Sequence, residues 1–151
     1  GENYYEAILK SMLSVGHRIP KKNILISSGP TRSKVELLNS TRMLIEKGYN
    51  IYSTAGTAKF FKENGIDTQI LYWPDEDKEP NIMEYLHDGD LVINIPKNHT
   101  KRELDNGYKI RRAAVDYNIP LITNARLASA FIYAICKVDP TEIAIKSWDE
   151  Y

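Results

Sequence analysis

Short apolar runs alternate with amphipathic stretches along most of the chain. The apolar runs span residues 23–27, 49–54, 68–72, 90–96 and 120–123, and they are rich in β-branched and aromatic residues, as strands are. The segments between and after them repeat apolar residues at helical spacing, over residues 33–47, 58–64, 82–87, 107–117 and 127–137. This alternation predicts an α/β fold: a five-stranded parallel sheet with right-handed crossovers and helices on both faces.

Local signals refine these elements. Ser33 is a residue type that favours a helix N-cap, and Gly48 and Gly65 follow apolar helical patterns where a terminating glycine is expected. The run 90–96 is almost continuously apolar, which is typical of a central parallel strand that is covered on both faces.

The start of the chain does not share this repeat. Residues 2–15 form an amphipathic pattern, and the basic segment 16–22 that follows is typical of a linker. We therefore expect residues 1–22 to be a linker helix that connects to an upstream region, and residues 23–151 to form the domain itself.

Composition excludes several classes of function. The 151 residues are enough for one domain with a real core, and 42% hydrophobic with 26% charged residues is ordinary for a soluble protein. Twenty basic residues balance twenty acidic ones, so a nucleic-acid partner is not expected. No stretch resembles a membrane span or a signal peptide, so we expect no membrane partner. The single cysteine, Cys136, excludes an internal disulfide framework and favours a cytoplasmic location. It lies in an apolar run that favours a buried structural thiol.

Ligands of parallel α/β sheets bind beyond the carboxyl ends of the strands, which here are rimmed by small, polar, uncharged residues. The segment 53–57 is the most informative, since a strand that ends in hydroxyl residues and feeds a helix forms an anion site. Thr54 and Thr57 would donate hydroxyls, Gly56 would allow close approach, and backbone N–H groups from Ala55 onward would face the ligand. Alternatively, Thr54 merely caps the helix.

Lys34, in the first turn after the first strand, could add positive charge to this site. Its alternative interpretation is an ordinary solvated helix lysine.

Several segments carry a family resemblance. Residues 53–58 resemble the phosphate-binding turn of the methylglyoxal-synthase-like fold. Five further segments resemble the C-terminal regulatory domain of the carbamoyl phosphate synthetase large chain and the linker before it: residues 71–74, 91–98, 110–116, 119–124 and 6–12. The segment Ile110 to Ala113, Ile-Arg-Arg-Ala, is the most specific of these.

This resemblance implies a three-layer, flavodoxin-like fold with strand order 3-2-1-4-5, an allosteric role, and no chemistry or cofactor within this domain. It implies that Trp73, Asn94 and Asn106 line the pocket. The parent enzyme would make carbamoyl phosphate for pyrimidine and arginine synthesis, using ATP, Mg or Mn and possibly K. The implied partners are the ATP-grasp domains of the same chain and a small glutaminase subunit.

The resemblance leaves two classes of effector open: a nucleotide monophosphate such as UMP or IMP, and N-acetyl-L-glutamate. Trp73, Asn94 and Asn106, together with the two threonines, match the acetylglutamate-responsive relatives. Lys97, however, stands where those relatives carry an asparagine. A second cation beside Lys34 suits a phosphate better than a carboxylate, so the sequence favours the nucleotide.

Two alternative functions remain. An enzyme like methylglyoxal synthase or IMP cyclohydrolase needs aspartates and a histidine that converge on the substrate. Here Asn94 and Lys97 close the fourth strand where the synthases carry an aspartate, and the acids of loop 75–79 are expected to form a solvated face. His17, His87 and His99 are expected in a linker, at a helix end and in a loop. His99 lies nearest the rim, but no carboxylate is placed to orient it, and no phosphate-loop or metal-ligand pattern occurs. The other alternative is a plain interaction module that uses its N-terminal helix.

Overall fold

The computed structural model describes residues 4–14, 19–97 and 100–137. Strands and helices alternate as predicted after a first helix. In chain order the elements are α1 (Tyr4–Ser14), β1 (Asn23–Ser28), α2 (Thr31–Glu46), β2 (Asn50–Ser53), α3 (Ala55–Glu63), β3 (Gln69–Ile70), α4 (Ile82–Tyr85), β4 (Leu91–Ile95), α5 (Lys101–Asp116), β5 (Leu121–Ile122) and α6 (Ala125–Lys137).

The five strands form one parallel sheet with the order β3-β2-β1-β4-β5. β1 is the central strand, where Ile24 lies opposite Ile51 of β2 and Leu91 of β4. Every residue of β4 is buried, as its continuous apolar pattern predicted. The predicted fold class and strand order are both confirmed.

The sheet separates two apolar clusters, because successive side chains of a strand point to opposite faces. Ile24 and Ile26 of β1 pack into one cluster with α1, α2, α3 and α6, while Leu25 packs into the other with α4 and α5. The molecule is therefore layered as helices, sheet and helices, and its core lies on both faces of the sheet.

Helix starts differ most from the predictions. α2 begins at Thr31 after Pro30, without a side-chain cap, so the predicted cap at Ser33 is wrong. α3 begins at Ala55 instead of residue 58, and α5 begins at Lys101 instead of residue 107. The α5 start is explained by Thr100, whose side chain accepts a hydrogen bond from the Glu103 N–H.

The helix ends at Gly48 and Gly65 agree with the predictions, whereas the edge strand β3 does not. Gly48 and Gly65 have φ angles of +91° and +81°, as expected of glycines that terminate helices. β3 is shorter than predicted, since Tyr72 makes only an isolated bridge with Asn81.

The first helix is packed into the main core. Leu9 is fully buried and Met12 is 7% exposed, and both belong to the cluster that contains Phe131 of α6. The end of the linker is also attached: Pro20 accepts a hydrogen bond from the Tyr49 hydroxyl, and the Asp90 carboxylate accepts from two backbone N–H groups, those of Lys22 and Asn23. The domain boundary placed after residue 22 stays a prediction, and the calls on residues 2, 3, 15–18 and 138–151 lie outside the described residues.

Among the described residues, no helix combines the length and apolar composition needed to cross a membrane.

Candidate ligand-binding site

A cavity of about 600 Å³ opens at the carboxyl ends of the strands, between the turns that follow β1, β2 and β4, the loop after β3, and helix α5. It contains the predicted site residues except Ala55, which is exposed and does not line it. The predicted residues that line it are Lys34, Thr54, Gly56, Thr57, Trp73, Asn94, Lys97 and Asn106.

A buried chain of hydroxyl groups joins the ends of β1 and β2. The Ser27 Oγ and Thr54 Oγ1 atoms are 2.9 Å apart, and Thr54 donates to Thr57 Oγ1 at 3.4 Å. Thr57 in turn donates to the Ser28 carbonyl at 3.1 Å and accepts from the Ser28 N–H at 2.9 Å. These side chains are at most 3% exposed. The Thr57 hydroxyl thus fixes the turn after β1 against the start of α3.

The start of α3 keeps its backbone donors free of side-chain caps. Thr54 occupies the N-cap position but makes no capping hydrogen bond, since its hydroxyl bonds Ser27 and Thr57. The interpretation of Thr54 as a simple helix cap is therefore wrong. The first intrahelical bond in this turn runs from the Ala58 N–H to the Thr54 carbonyl. The N–H groups before it have no carbonyl partner in the helix and carry the positive end of its dipole.

Gly56 lies at this turn, and a Cβ atom built there would meet no protein atom within 4 Å. Protein packing alone does not require a glycine at this position. Space remains for another molecule to approach the backbone closely.

Two lysines stand at the cavity wall. Lys34 is half-buried in the first turn of α2 and Lys97 is exposed after β4. The Lys97 backbone lies against Gly29, whose N–H bonds the Ile95 carbonyl at 2.9 Å. A Cβ atom at Gly29 would lie 2.6 Å from the Lys97 Cα atom, so this crossing of the two turns requires glycine.

The sequence interpretation missed two arginines, Arg102 and Arg111, which line the cavity from α5. Arg102 binds the Asp75 carboxylate through Nε at 2.6 Å and Nη2 at 3.2 Å, and its Nη2 lies 3.8 Å from Glu76. The solvated acidic face expected for this loop agrees with the structure, since Asp75, Asp77 and Glu79 are exposed and Glu76 is partly buried. The sequence did not show that Asp75 and Glu76 pair with Arg102. A Thr-x-x-Glu pattern at residues 100–103 was the available signal, because it marks a helix that carries both arginines.

Asn106 contributes a buried amide to the cavity wall. It is 4% exposed and its Oδ1 atom has no hydrogen-bond partner. Hydrogen bonds from Arg102 and, to a smaller extent, from the Asn106 side chain hold the pKa of Asp75 below its ordinary value. Asn94 of β4 is also buried and lines the same cavity.

Among the described residues, no histidine lines this cavity. His87 lies outside its lining and contacts the Tyr117 hydroxyl at 3.0 Å on the surface, while His17 and His99 are outside the described residues. Burial raises the pKa of the Cys136 thiol, as expected for a structural cysteine. Within residues 4–14, 19–97 and 100–137, no cluster of histidine, cysteine and carboxylate groups could hold a metal ion.

Comparison with known families gives a direct match. A sequence model described as the MGS-like domain matches residues 36–123, which is more than half of the chain. The chain belongs to the MGS-like domain family. The matched segment runs from within α2 to the end of β5, and it contains every predicted site residue except Lys34.

Similar MGS-like segments occur in much longer proteins. The chain is 43% identical to the multifunctional protein CAD of Squalus acanthias, over 93% of this chain and 7% of that protein. It is 38% identical to the human mitochondrial carbamoyl-phosphate synthase [ammonia], over 91% of this chain and 9% of that protein. With the C-terminal section of the carbamoyl phosphate synthase large chain of Aquifex aeolicus, identity is 37% over 85% of this chain and 24% of that sequence. The chain thus spans a small part of the relatives that it matches.

Proposed function

We propose that this MGS-like domain is the allosteric effector-binding domain of a carbamoyl phosphate synthetase. The observation that carries the proposal is the cavity, which joins the uncapped start of α3 to basic side chains and to buried amides. This set of groups can hold and orient an anionic metabolite. Among the lining residues that the structure describes, no histidine stands beside a carboxylate for proton transfer, which suits a regulatory site.

The favoured ligand class is a nucleotide monophosphate such as UMP or IMP. Its phosphate would lie on the N–H groups at Gly56, with Lys34 beside them, and its base would extend towards Trp73 and Asn106. Four basic side chains and one acidic side chain line the cavity: Lys34, Lys97, Arg102, Arg111 and Glu103. That balance suits a phosphate carrying nearly two negative charges. N-acetyl-L-glutamate, which the pattern of threonines, Trp73 and asparagines would also accommodate, is the competing effector.

Regulation requires that the ligand bind differently to two states of the parent enzyme. α1 and the linker after it are the proposed route to the ATP-grasp domains, since Leu9 joins the core of this domain. Carbamoyl phosphate formation, with its ATP and metal ions, would take place in those domains together with a glutaminase subunit. A cytoplasmic location is part of the same proposal.

The test is calorimetric titration of the purified chain with UMP, IMP and N-acetyl-L-glutamate at low and high salt. We expect nucleotide binding that weakens as salt rises, because added ions screen the phosphate. Lys34→Gln should reduce the affinity by about tenfold, the scale of one charge-assisted hydrogen bond. Lys59→Gln is the matched control, since Lys59 is an exposed lysine of α3 outside the cavity lining.

Binding of N-acetyl-L-glutamate without UMP or IMP would reverse the choice of effector. If none of the three ligands bound, the effector site itself would be wrong. Release of methylglyoxal from dihydroxyacetone phosphate by the purified chain would instead establish the enzymatic alternative.

A further inference from the structure

Arg102 lines the cavity, but its charge is already paired within the protein. Its Nε atom lies 2.6 Å from Asp75 Oδ2 and its Nη2 atom lies 3.2 Å from Asp75 Oδ1. Both carboxylate oxygens therefore accept a hydrogen bond from one edge of the guanidinium group. The Nη2 atom also lies 3.8 Å from the Glu76 carboxylate. A donor that could serve a ligand is thus held by the acidic loop after β3.

This ion pair is open to solvent. The side chain of Arg102 is 62% exposed and that of Asp75 is 34% exposed. An ion pair in such surroundings contributes little to folding, because water solvates the separated charges nearly as well. Another pair of acceptor atoms that enters the cavity can therefore replace the carboxylate with little loss of stability. The Thr57 hydroxyl, whose partners are buried with it, cannot change partners in this way.

The layers of the fold separate Arg102 from the proposed phosphate site. α2 and α3, which carry Lys34 and the uncapped N–H groups, pack on one face of the sheet, whereas α5 packs on the other. The loop that holds Arg102 also carries Trp73, which lines the cavity and whose N–H donates to the Glu76 carboxylate at 3.2 Å. A nucleotide with its phosphate on α3 would therefore extend its base towards Trp73 and Arg102.

The guanidinium edge that binds Asp75 also fits one kind of base. A carboxylate presents two acceptor oxygens side by side, and the O6 and N7 atoms of a 6-oxopurine present two acceptors in a similar way. Adenine carries an amino group at the same position and presents a donor there. Because an arginine side chain has only donors, it discriminates between these two bases.

We propose that Arg102 is a specificity-determining residue of the effector site, which exchanges the Asp75 carboxylate for the O6 and N7 acceptors of a 6-oxopurine nucleotide such as IMP. This inference rests on the proposed effector site and selects among its nucleotides. Asp75 competes with the base for Arg102 and thereby lowers the affinity for the ligand. The exchange also loosens the link between the Trp73 loop and α5.

IMP and AMP provide a matched pair of probes, since they share the same ribose phosphate. A change of charge at the cavity rim alters the attraction of both nucleotides equally and cancels in the ratio of their affinities. Calorimetric titration should show that the wild-type chain binds IMP about tenfold more tightly than AMP. Arg102→Met, which removes the donors, should narrow this ratio to about threefold or less.

Asp75→Asn should widen the ratio of IMP to AMP affinity by about threefold, because the competing carboxylate is gone. Asp77→Asn is the matched control: it removes the same charge from an exposed position of the same loop outside the cavity lining, and it should keep the wild-type ratio. If Asp75→Asn weakened both nucleotides without widening the ratio, Asp75 would merely anchor its loop and the inference would be overturned.

Nuclear magnetic resonance follows the exchange directly. Saturation with IMP should shift the carboxyl carbon signal of Asp75, which loses its hydrogen bonds to Arg102, and should leave the signal of Asp77 in place. An Asp75 signal that stays in place with IMP bound would refute the exchange while leaving the effector site intact. Binding of UMP without IMP would overturn the choice of a 6-oxopurine. If neither the wild-type chain nor Asp75→Asn bound any of these nucleotides, the proposed nucleotide site would be wrong and this inference with it.

Discussion

The hydroxyl chain at the ends of β1 and β2 shows how single residues prepare the cavity. Thr57 was predicted as a ligand donor, and its place in the cavity lining agrees with a role at the site. Its proton, however, goes to the Ser28 carbonyl, and its oxygen also accepts the Ser28 N–H. Its direct contribution is to hold two turns in register, while the backbone N–H groups of α3 remain available to an anion.

Replacement of Thr57 by valine should therefore reduce folding stability as well as ligand binding. Valine keeps the shape but leaves the Ser28 N–H and carbonyl groups without their buried partner, which destabilises by about 1–3 kcal/mol. Urea unfolding would measure this loss. Thr57→Ser retains the hydroxyl and should lose less than the valine variant. Equal stability of wild type and Thr57→Val would show that these hydrogen bonds contribute nothing to the fold.

At the scale of elements, α5 determines which side chains reach the cavity. Because the helix begins at Lys101, Arg102 and Asn106 lie four residues apart on one helical face, and both line the cavity. A start at residue 107, as predicted, would have left both residues in a loop of undefined geometry. The correct start depends on the Thr100 cap and its bond to the Glu103 N–H at 3.3 Å.

Thr100→Ala should destabilise the first turn of α5 by about 0.5–2 kcal/mol, because alanine cannot accept the hydrogen bond from the Glu103 N–H. Hydrogen exchange of the amides at the start of α5 would report the loss locally, and urea unfolding would report it globally. Thr100→Ser keeps the acceptor oxygen and should behave like the wild type. Exchange rates that are the same in Thr100→Ala and the wild type would contradict the assigned cap.

At the scale of the whole molecule, α1 is a packed part of the core. Leu9 is completely buried in the same cluster as Leu44 of α2 and Phe131 of α6. A movement of α1 would therefore change the packing of the other helices on that face of the sheet. This packing gives the proposed route to the ATP-grasp domains a physical basis.

Leu9→Ala should reduce the free energy of unfolding by about 2–5 kcal/mol, the range for a large side chain removed from a packed core. The change in urea midpoint measures it. Ser11→Ala, an exposed substitution on the same helix, should leave the midpoint nearly unchanged. If Leu9→Ala were as stable as Ser11→Ala, α1 would be a loosely attached linker.

By itself the sequence determined the fold class and, through family resemblance, the strand order, and all the predicted site residues but Ala55 line the cavity. Apolar periodicity is a local property, and strand ends carry their polar residues in the chain itself, as in segment 53–57. Gly48 and Gly65 were identifiable for the same reason, since helix ends are set by nearby residues.

Only the tertiary structure decided the pairing of Asp75 with Arg102, the contact between Gly29 and Lys97, and the unpartnered oxygen of Asn106. Each joins segments that are distant in the chain or depends on exact burial. The local sequence shows neither the distance between such segments nor how far their side chains are exposed to solvent. The partner to which a side chain donates its hydrogen bond therefore depends on packing and not on residue type, as the bond from Thr57 to the Ser28 carbonyl shows.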